Sequence, residues 1–192
     1  MSNEEDTSVR NSGEDPFKDV RAGNTIEVGK QAVWSVSSCK PGFGVDQLRD
    51  ELLETYWQSD GQLPHLVSIQ FLRKTTVSDI CIYTDYKLDE SYTPNRISIR
   101  AGSSFNDIQE VEVLDLNEPS GWVKIPVKDT KEGKLRTFLI QIAVMSNHQN
   151  GRDCHIRQIL VHSPVQNRGL MPIRDYPRNF VTVEFMQYNC IR

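Results

Sequence analysis

No stretch of this 192-residue sequence approaches the roughly 18–20 apolar residues that a membrane-spanning helix needs. The longest apolar stretch covers residues 138–145 and is interrupted by Gln141. Residues 1–6 contain neither the basic nor the apolar segment that opens a secretory signal peptide. We therefore expect a protein that is not secreted and does not bind membranes.

Cysteine is scarce and scattered. The four residues Cys39, Cys81, Cys154 and Cys190 form no Cys-x-x-Cys pair. Four cysteines can form two disulfides, but a chain without a signal peptide is expected to keep free thiols in a reducing compartment. The sequence also lacks a glycine-rich phosphate loop after a strand, and it shows no compelling metal or cofactor motif, so we expect no cofactor.

The chain has no excess of basic residues. Residues 1–19 contain six acidic and two basic side chains, which equals the whole formal net charge of −4. The remainder of the chain is therefore balanced, and this argues against nonspecific nucleic-acid binding, which depends on phosphate neutralisation. Residues 1–23 are polar and poor in large apolar groups, so they are predicted to be a disordered acidic tail.

A period of two dominates the rest of the sequence. Apolar residues alternate with polar ones in several segments: residues 67–71, 96–100, 111–113 and 181–185. Residues 80–83, 122–127 and 156–161 add further strands. Each alternating pattern indicates a strand with one face in a core, and many short strands between turn residues predict an antiparallel sandwich or barrel.

Three segments depart from simple alternation. Residues 138–145 are almost continuously apolar, which predicts a strand covered on both faces. Residues 45–54 place Val45, Leu48 and Leu52 at helical spacing and are predicted to form a short helix. Residues 163–179 contain several prolines and are predicted to form a long irregular connection.

A ten-residue polar run, residues 146–155, lies between two apolar strands. Its amide, imidazole and guanidinium groups suit hydrogen bonding to a peptide or carboxylate, although a solvated hairpin loop is an equal alternative. His148, Asp153 and His155 offer a weaker alternative as metal ligands. Cys154 and His155 are neighbours on a strand, so they should point to opposite faces and not form a catalytic pair.

Two further segments carry candidate binding residues. Residues 85–94 form a second polar loop that ends at Pro94, and they include Asp85, Asp89, Glu90, Ser91 and Tyr92. Residues 55–61 carry Trp57, which can stack on a sugar but more often packs beneath a loop.

Four segments together resemble a known family: residues 31–50, residues 55–61, the run Asn-His-Gln-Asn-Gly-Arg-Asp at 147–153, and the terminal Ile191-Arg192. They are similar to the DOC-domain subunits of the anaphase-promoting complex, a cell-cycle ubiquitin ligase. The resemblance implies an all-β, antiparallel jelly-roll sandwich of the galactose-binding-like type. It divides the chain into the disordered tail 1–23, the DOC domain 24–188 and a docking tail 189–192.

The resemblance also implies a non-catalytic role in substrate recognition and processivity, in the nucleus and cytoplasm. Members of the family form a destruction-box co-receptor with a WD40-propeller coactivator, for substrates such as cyclins and securin. Their Ile-Arg end, here Ile191 and Arg192, docks in a tetratricopeptide-repeat scaffold subunit. The implied degron-binding residues are Ser91, Asn147, His148, Gln149, Asn150, Gly151, Arg152, Asp153 and His155. A carbohydrate-binding module on the same fold is the alternative.

Overall fold

The computed structural model describes residues 15–128 and 135–165. The strands in this part of the chain are β1 Thr25–Glu27, β2 Ala32–Val36, β3 Trp57–Gln58, β4 His65–Val77, β5 Asp79–Asp85, β6 Pro94–Gly102, β7 Gln109–Asp115, β8 Ser120–Pro126, β9 Leu135–Asn147, β10 His155–Ile156 and β11 Gln158–Pro164. The α-helices are α1 Lys18–Arg21 and α2 Tyr86–Asp89. Single 3₁₀ turns form at Gly29–Gln31, Asp46–Leu48, Glu90–Tyr92 and His148–Asn150.

Two antiparallel sheets pack face to face. The larger sheet has the strand order β2-β4-β9-β6-β7, and the smaller has the order β1-β11-β5-β8. A short pair, β10 with β3, forms a third sheet. This arrangement confirms the antiparallel sandwich predicted from the period-two segments, because each alternating segment in the described chain lies within a strand.

The core lies between the two sheets. It is built from the inward-facing residues of the larger sheet, such as Ile69, Ile99 and Ile142, and from those of the smaller sheet, such as Ile82 and Ile159. All of these side chains are fully buried. An Ile142→Ala change at this position would be a core truncation of the kind that costs about 2–5 kcal/mol.

The strand β9 is central in the larger sheet, between β4 and β6. Ile140 pairs with Ile69 on β4, and Ile142 pairs with Ile99 on β6. The six residues 139–144 are all buried, including Gln141, whose side-chain amide donates to Ser68 Oγ at 3.4 Å. The prediction that this strand is covered on both faces is confirmed.

The helix predicted for residues 45–54 is wrong. Only the 3₁₀ turn Asp46–Leu48 forms, and it buries Leu48 but leaves Leu52 about half exposed. The side chain of Asp50 accepts from the Leu52 amide at 3.0 Å and from Thr55 Oγ1 at 2.7 Å. These local bonds offer the backbone an alternative to helical hydrogen bonding, and the chain turns instead of continuing the helix.

Three other sequence interpretations need adjustment. The strand predicted for residues 156–161 is divided, because β10 pairs with β3 while β11 pairs with β5. Within the predicted tail 1–23, α1 forms a helical turn whose Asp19 pairs with Lys124 on β8 at 2.6 Å. Residues 163 and 164, predicted as connection, belong to β11. The predicted strand 181–185 and the docking residues Ile191 and Arg192 lie outside the described residues.

Candidate functional site

The two polar loops predicted from the sequence meet at one end of the sandwich. β6 begins where β9 ends, with Pro94 opposite Asn147, so the segments before β6 and after β9 are neighbours. The His148 amide donates to the Thr93 carbonyl at 2.9 Å. We call residues 85–93 and 147–155 the paired loops.

Glycine at position 151 allows the paired loops to touch. A β-carbon built on Gly151 would lie 1.9 Å from the carbonyl oxygen of Ser91 and 2.8 Å from its carbonyl carbon. No side chain fits at such a separation, so the loops can approach this closely only with glycine here. Gly151 and Ser91 are thus positioning residues, and neither offers a side-chain contact that explains its place in the site.

The Asn147 side chain holds its own loop in place through hydrogen bonds. It is buried, and its side-chain amide donates to the carbonyls of Gly151 at 3.1 Å and Asp153 at 3.0 Å. His65, the first residue of β4, also holds this loop, because its Nε2 donates to the Arg152 carbonyl at 2.7 Å. The sequence analysis did not identify His65, because nothing local connects a strand's first residue with a loop far along the chain.

Three of the predicted residues, Gln149, Asn150 and Arg152, are exposed, and so are Lys87, Leu88, Glu90 and Tyr92 of the other loop. Gln149 and Asn150 have positive φ angles of 52° and 57°, which turn the backbone outward. The Gln149 amide donates to the Tyr86 hydroxyl at 3.1 Å, and the Tyr86 ring meets His148 edge-on at 4.9 Å. These side chains therefore form a polar surface on an ordered backbone.

Five polar side-chain atoms of the paired loops are buried without a hydrogen-bond partner among the described residues. They are Thr93 Oγ1, Asn147 Oδ1, His148 Nε2, Asp153 Oδ1 and His155 Nε2. An unpaired buried polar atom costs on the order of 1–3 kcal/mol, and such atoms normally find a partner. Their concentration beside an exposed polar surface is what a site for a polar ligand requires.

A column of stacked rings supports the paired loops from below. Phe43 stacks on Tyr56 at 5.1 Å, Tyr56 on His155 at 4.1 Å, and His155 on Tyr92 at 4.2 Å between ring centroids. Trp57 next to this column is fully buried and donates its indole N–H to the Ser38 carbonyl at 2.9 Å. The packing role predicted for Trp57 is confirmed, and His155 lies within the support instead of on the open surface.

Asp89 joins the column to the sheet through two buried partners. Its carboxylate accepts from Arg157 at 2.8 and 3.0 Å and from His155 Nδ1 at 3.1 Å. Burial alone would raise the pKa of Asp89, but the hydrogen bonds from His155 and Arg157 outweigh it and hold this pKa below its ordinary value. Arg157 was missed in the sequence analysis, although a single charge within the apolar segment 156–161 is a signal for a buried ion pair.

Cys154 is a structural thiol. It is fully buried, its amide donates to Ser59 Oγ at 2.8 Å, and burial raises the pKa of its thiol to about 12. A protonated thiol is a poor nucleophile, so the chemistry of a Cys154–His155 pair is unavailable at neutral pH. The alternative metal site of His148, Asp153 and His155 does not form in the described part of the chain, because these three residues do not bring their ligand atoms together.

No helix in the described part of the chain combines the length and apolar character required to cross a membrane.

The family model described as anaphase-promoting complex, subunit 10, matches residues 3–190. A curated relative of that name from Drosophila melanogaster is 61% identical over 181 residues, which is 94% of this chain and 92% of the relative. The Homo sapiens relative is 58% identical over 180 residues, covering 94% and 95% of the two chains. The Schizosaccharomyces pombe relative is 38% identical over 168 residues, covering 87% and 88%.

Solved structures share the fold at low sequence identity. The family 32 CBM from C. perfringens NanJ, in complex with galactose, has a TM-score of 0.61 at 14% identity and covers 72% of this chain and 99% of that one. A CBM32 domain of CpGH89 from Clostridium perfringens has a TM-score of 0.60 at 7% identity, with coverage of 71% and 99%. At these identities the likeness concerns the jelly-roll fold alone.

The family resemblance seen in the four sequence segments is thereby confirmed over almost the whole chain, and the jelly roll is the fold expected from it. The chain belongs to the anaphase-promoting complex subunit 10 family, whose members are subunits of that cell-cycle complex of the ubiquitin pathway.

Proposed function

We propose that this subunit is non-catalytic and that its paired loops bind the destruction box, the Arg-x-x-Leu degron of substrates such as cyclins and securin. In this proposal a WD40-propeller coactivator supplies the other half of the receptor. Added substrate affinity then increases the number of ubiquitins transferred per encounter. The subunit would act in the nucleus and cytoplasm.

The observation that carries the proposal is the exposed polar surface formed by Gln149, Asn150 and Arg152 on a loop that Asn147 and His65 hold in place. These three side chains offer accessible amide and guanidinium groups. A peptide backbone and a degron arginine provide the matching donors and acceptors.

The sharpest test replaces only residues that the fold does not need. We expect the triple variant Gln149→Ala, Asn150→Ala, Arg152→Ala to lower degron-dependent ubiquitination in a reconstituted ligase. Each lost hydrogen bond contributes on the order of 1 kcal/mol, so affinity should fall severalfold to about a hundredfold. The melting temperature should remain close to wild type, because exposed positions seldom change stability by more than about 0.5 kcal/mol.

The chain provides a matched control with the same residue types. Gln109, Asn106 and Arg136 are exposed at the opposite end of the sandwich, where β6 ends and β9 begins. Their triple replacement by alanine should leave ubiquitination unchanged. Both triples are assayed with wild-type and degron-deleted substrate. Equal activity of the paired-loop triple and wild type on both substrates would show that the loop is only a solvated connection.

The C-terminal pair Ile191-Arg192 carries a separate part of the proposal, docking to the tetratricopeptide-repeat scaffold. Deleting the two residues should weaken retention on the purified scaffold without changing the melting temperature, since a terminal dipeptide contributes little to a core but can be a charged anchor. An Asn106→Ala chain, changed at an exposed position outside the docking tail, is the control and should be retained like wild type. Full retention of the truncated chain would contradict this assignment.

The carbohydrate-binding alternative rests on fold likeness alone. A galactose titration of the wild-type chain and the paired-loop triple tests it directly. We expect no binding by either chain. Saturable galactose binding by wild type that the triple loses would favour the alternative over the degron site.

A further inference from the structure

The smaller sheet carries a second group of chemically reactive side chains, on the face that points away from the core. Along β5, Ile80 and Ile82 enter the core, whereas Asp79 and Cys81 alternate to the other face. On β11, His162 is the direct cross-strand partner of Asp79. All three side chains are buried, with exposures of 5%, 0% and 1% respectively.

The potential ligand atoms of these three residues converge. Asp79 Oδ1, Cys81 Sγ and His162 Nδ1 all lie within 4.8 Å of one another. His162 Nδ1 is 2.7 Å from Asp79 Oδ1, and Cys81 Sγ is 3.7 Å from that oxygen and 3.9 Å from the ring nitrogen. We propose that Asp79, Cys81 and His162 form a zinc site that joins β5 to β11, with water as the fourth ligand.

The separations are close to those of a tetrahedral zinc centre. Zinc bonds of about 2.0–2.3 Å to oxygen, nitrogen and sulfur place the ligand atoms about 3.3–3.6 Å apart. The two contacts of Cys81 Sγ are slightly longer than this, and the histidine–carboxylate contact is shorter because a proton holds the pair together. Zinc replaces that proton and the thiol proton, so the three ligand atoms need to move by only a few tenths of an ångström.

The surroundings meet two further requirements of a metal site. Ser78 Oγ donates to the second carboxylate oxygen of Asp79 at 2.8 Å, which orients the ligand oxygen toward the cluster. Charge also balances, because one carboxylate and one thiolate neutralise Zn²⁺. Lys124, which lies opposite Cys81 on β8, is paired with Asp19 at 2.6 Å and does not leave an uncompensated positive charge.

A hydrogen-bonded Asp79–His162 pair accounts for only part of the arrangement. It does not require the Cys81 thiol to lie 3.7 Å from the same carboxylate oxygen. One zinc ion accounts for all three residues, because it would contact the carboxylate, the thiolate and the imidazole together.

The test is a cobalt titration of the full chain after metal removal with a chelator, followed by competition with zinc. We expect a near-ultraviolet thiolate-to-cobalt charge-transfer band that zinc displaces. Cys81→Ser should abolish the band, and Ser78→Ala should weaken metal affinity by about 10–100-fold, because Ser78 Oγ bonds to the Asp79 carboxylate and to the His162 carbonyl. Cys39→Ser, Cys154→Ser and Cys190→Ser are the matched thiol controls, and each should keep the band.

A second measurement does not depend on the folding of any variant. Zinc should raise the melting temperature of the wild-type chain, because a ligand that binds the folded state stabilises it. An absent cobalt band in wild type, or a band that persists in Cys81→Ser, would overturn the proposal. Neither outcome bears on the paired loops, which lie on other elements of the fold.

Discussion

Replacing Asp89 with alanine should lower the free energy of unfolding by about 3–5 kcal/mol, because it leaves the buried Arg157 guanidinium without its carboxylate. Both side chains of the pair are less than one-tenth exposed, so water cannot compensate for the loss. His155 also loses its Nδ1 partner, and the ring column beneath the paired loops loses its link to the sheet. Chemical denaturation of the variant and wild type measures the difference.

The matched control is Asp115→Ala on β7. Its carboxylate pairs with Arg96 at 3.7 Å, but the two side chains are 65% and 55% exposed. A solvated pair of this kind contributes at most about 1 kcal/mol, so the control should remain near wild-type stability. If Asp89→Ala cost no more than Asp115→Ala, the buried network would have no structural importance.

The second large effect is expected from Gly151→Ala. The φ angle of Gly151 is −58°, so alanine can adopt the backbone, and the entire conflict is the 1.9 Å contact with the Ser91 carbonyl oxygen. The paired loops must separate to accept the methyl group, at a cost of about 1–3 kcal/mol. Since the proposed degron surface depends on their contact, degron-dependent ubiquitination should fall at least as far as in the exposed triple variant.

Gly44→Ala tests whether this effect is specific to the loop contact. The nearest atom to its new β-carbon is Cys39 Sγ at 3.6 Å, an ordinary van der Waals distance. This control should change stability by no more than about 0.5 kcal/mol. Identical melting temperatures and ubiquitination rates for Gly151→Ala and Gly44→Ala would show that the loops adapt freely at Ser91.

Much of the fold was predictable because its main cause is local. The alternation of Val67, Ile69 and Phe71 with polar residues fixes which face of β4 enters the core, and the nearly continuous apolar segment 138–145 predicted a strand covered on both faces. The predicted helix at 45–54 failed for an equally local reason. The apolar residues have the spacing of a helix. That spacing does not reveal that the Asp50 side chain accepts a hydrogen bond from the Leu52 amide and ends the turn.

The sequence predicted which residues form the candidate site, but not which of them are buried. Polarity correctly indicated that residues 147–155 lie at an end of the sandwich. It could not indicate that Asn147 and His155 are buried, because their burial results from contacts with distant segments. His155 is covered by Tyr56 and Tyr92 and is held by Asp89, 66 positions earlier in the chain. Such partners become neighbours only after the strands have paired.

The ring column also determines how fast a ligand of the paired loops should bind and leave. Four rings from four separate segments are already stacked in the free chain. The side chains of Asn147 and His65 already hold the loop at residues 147–155 through hydrogen bonds to its backbone. Little rearrangement then remains for the moment of encounter, so association is limited by diffusion and orientation. If the paired loops bind the degron as proposed, substitutions of the neutral residues Gln149 and Asn150 should act on the residence time of the bound partner, while the association rate stays nearly constant.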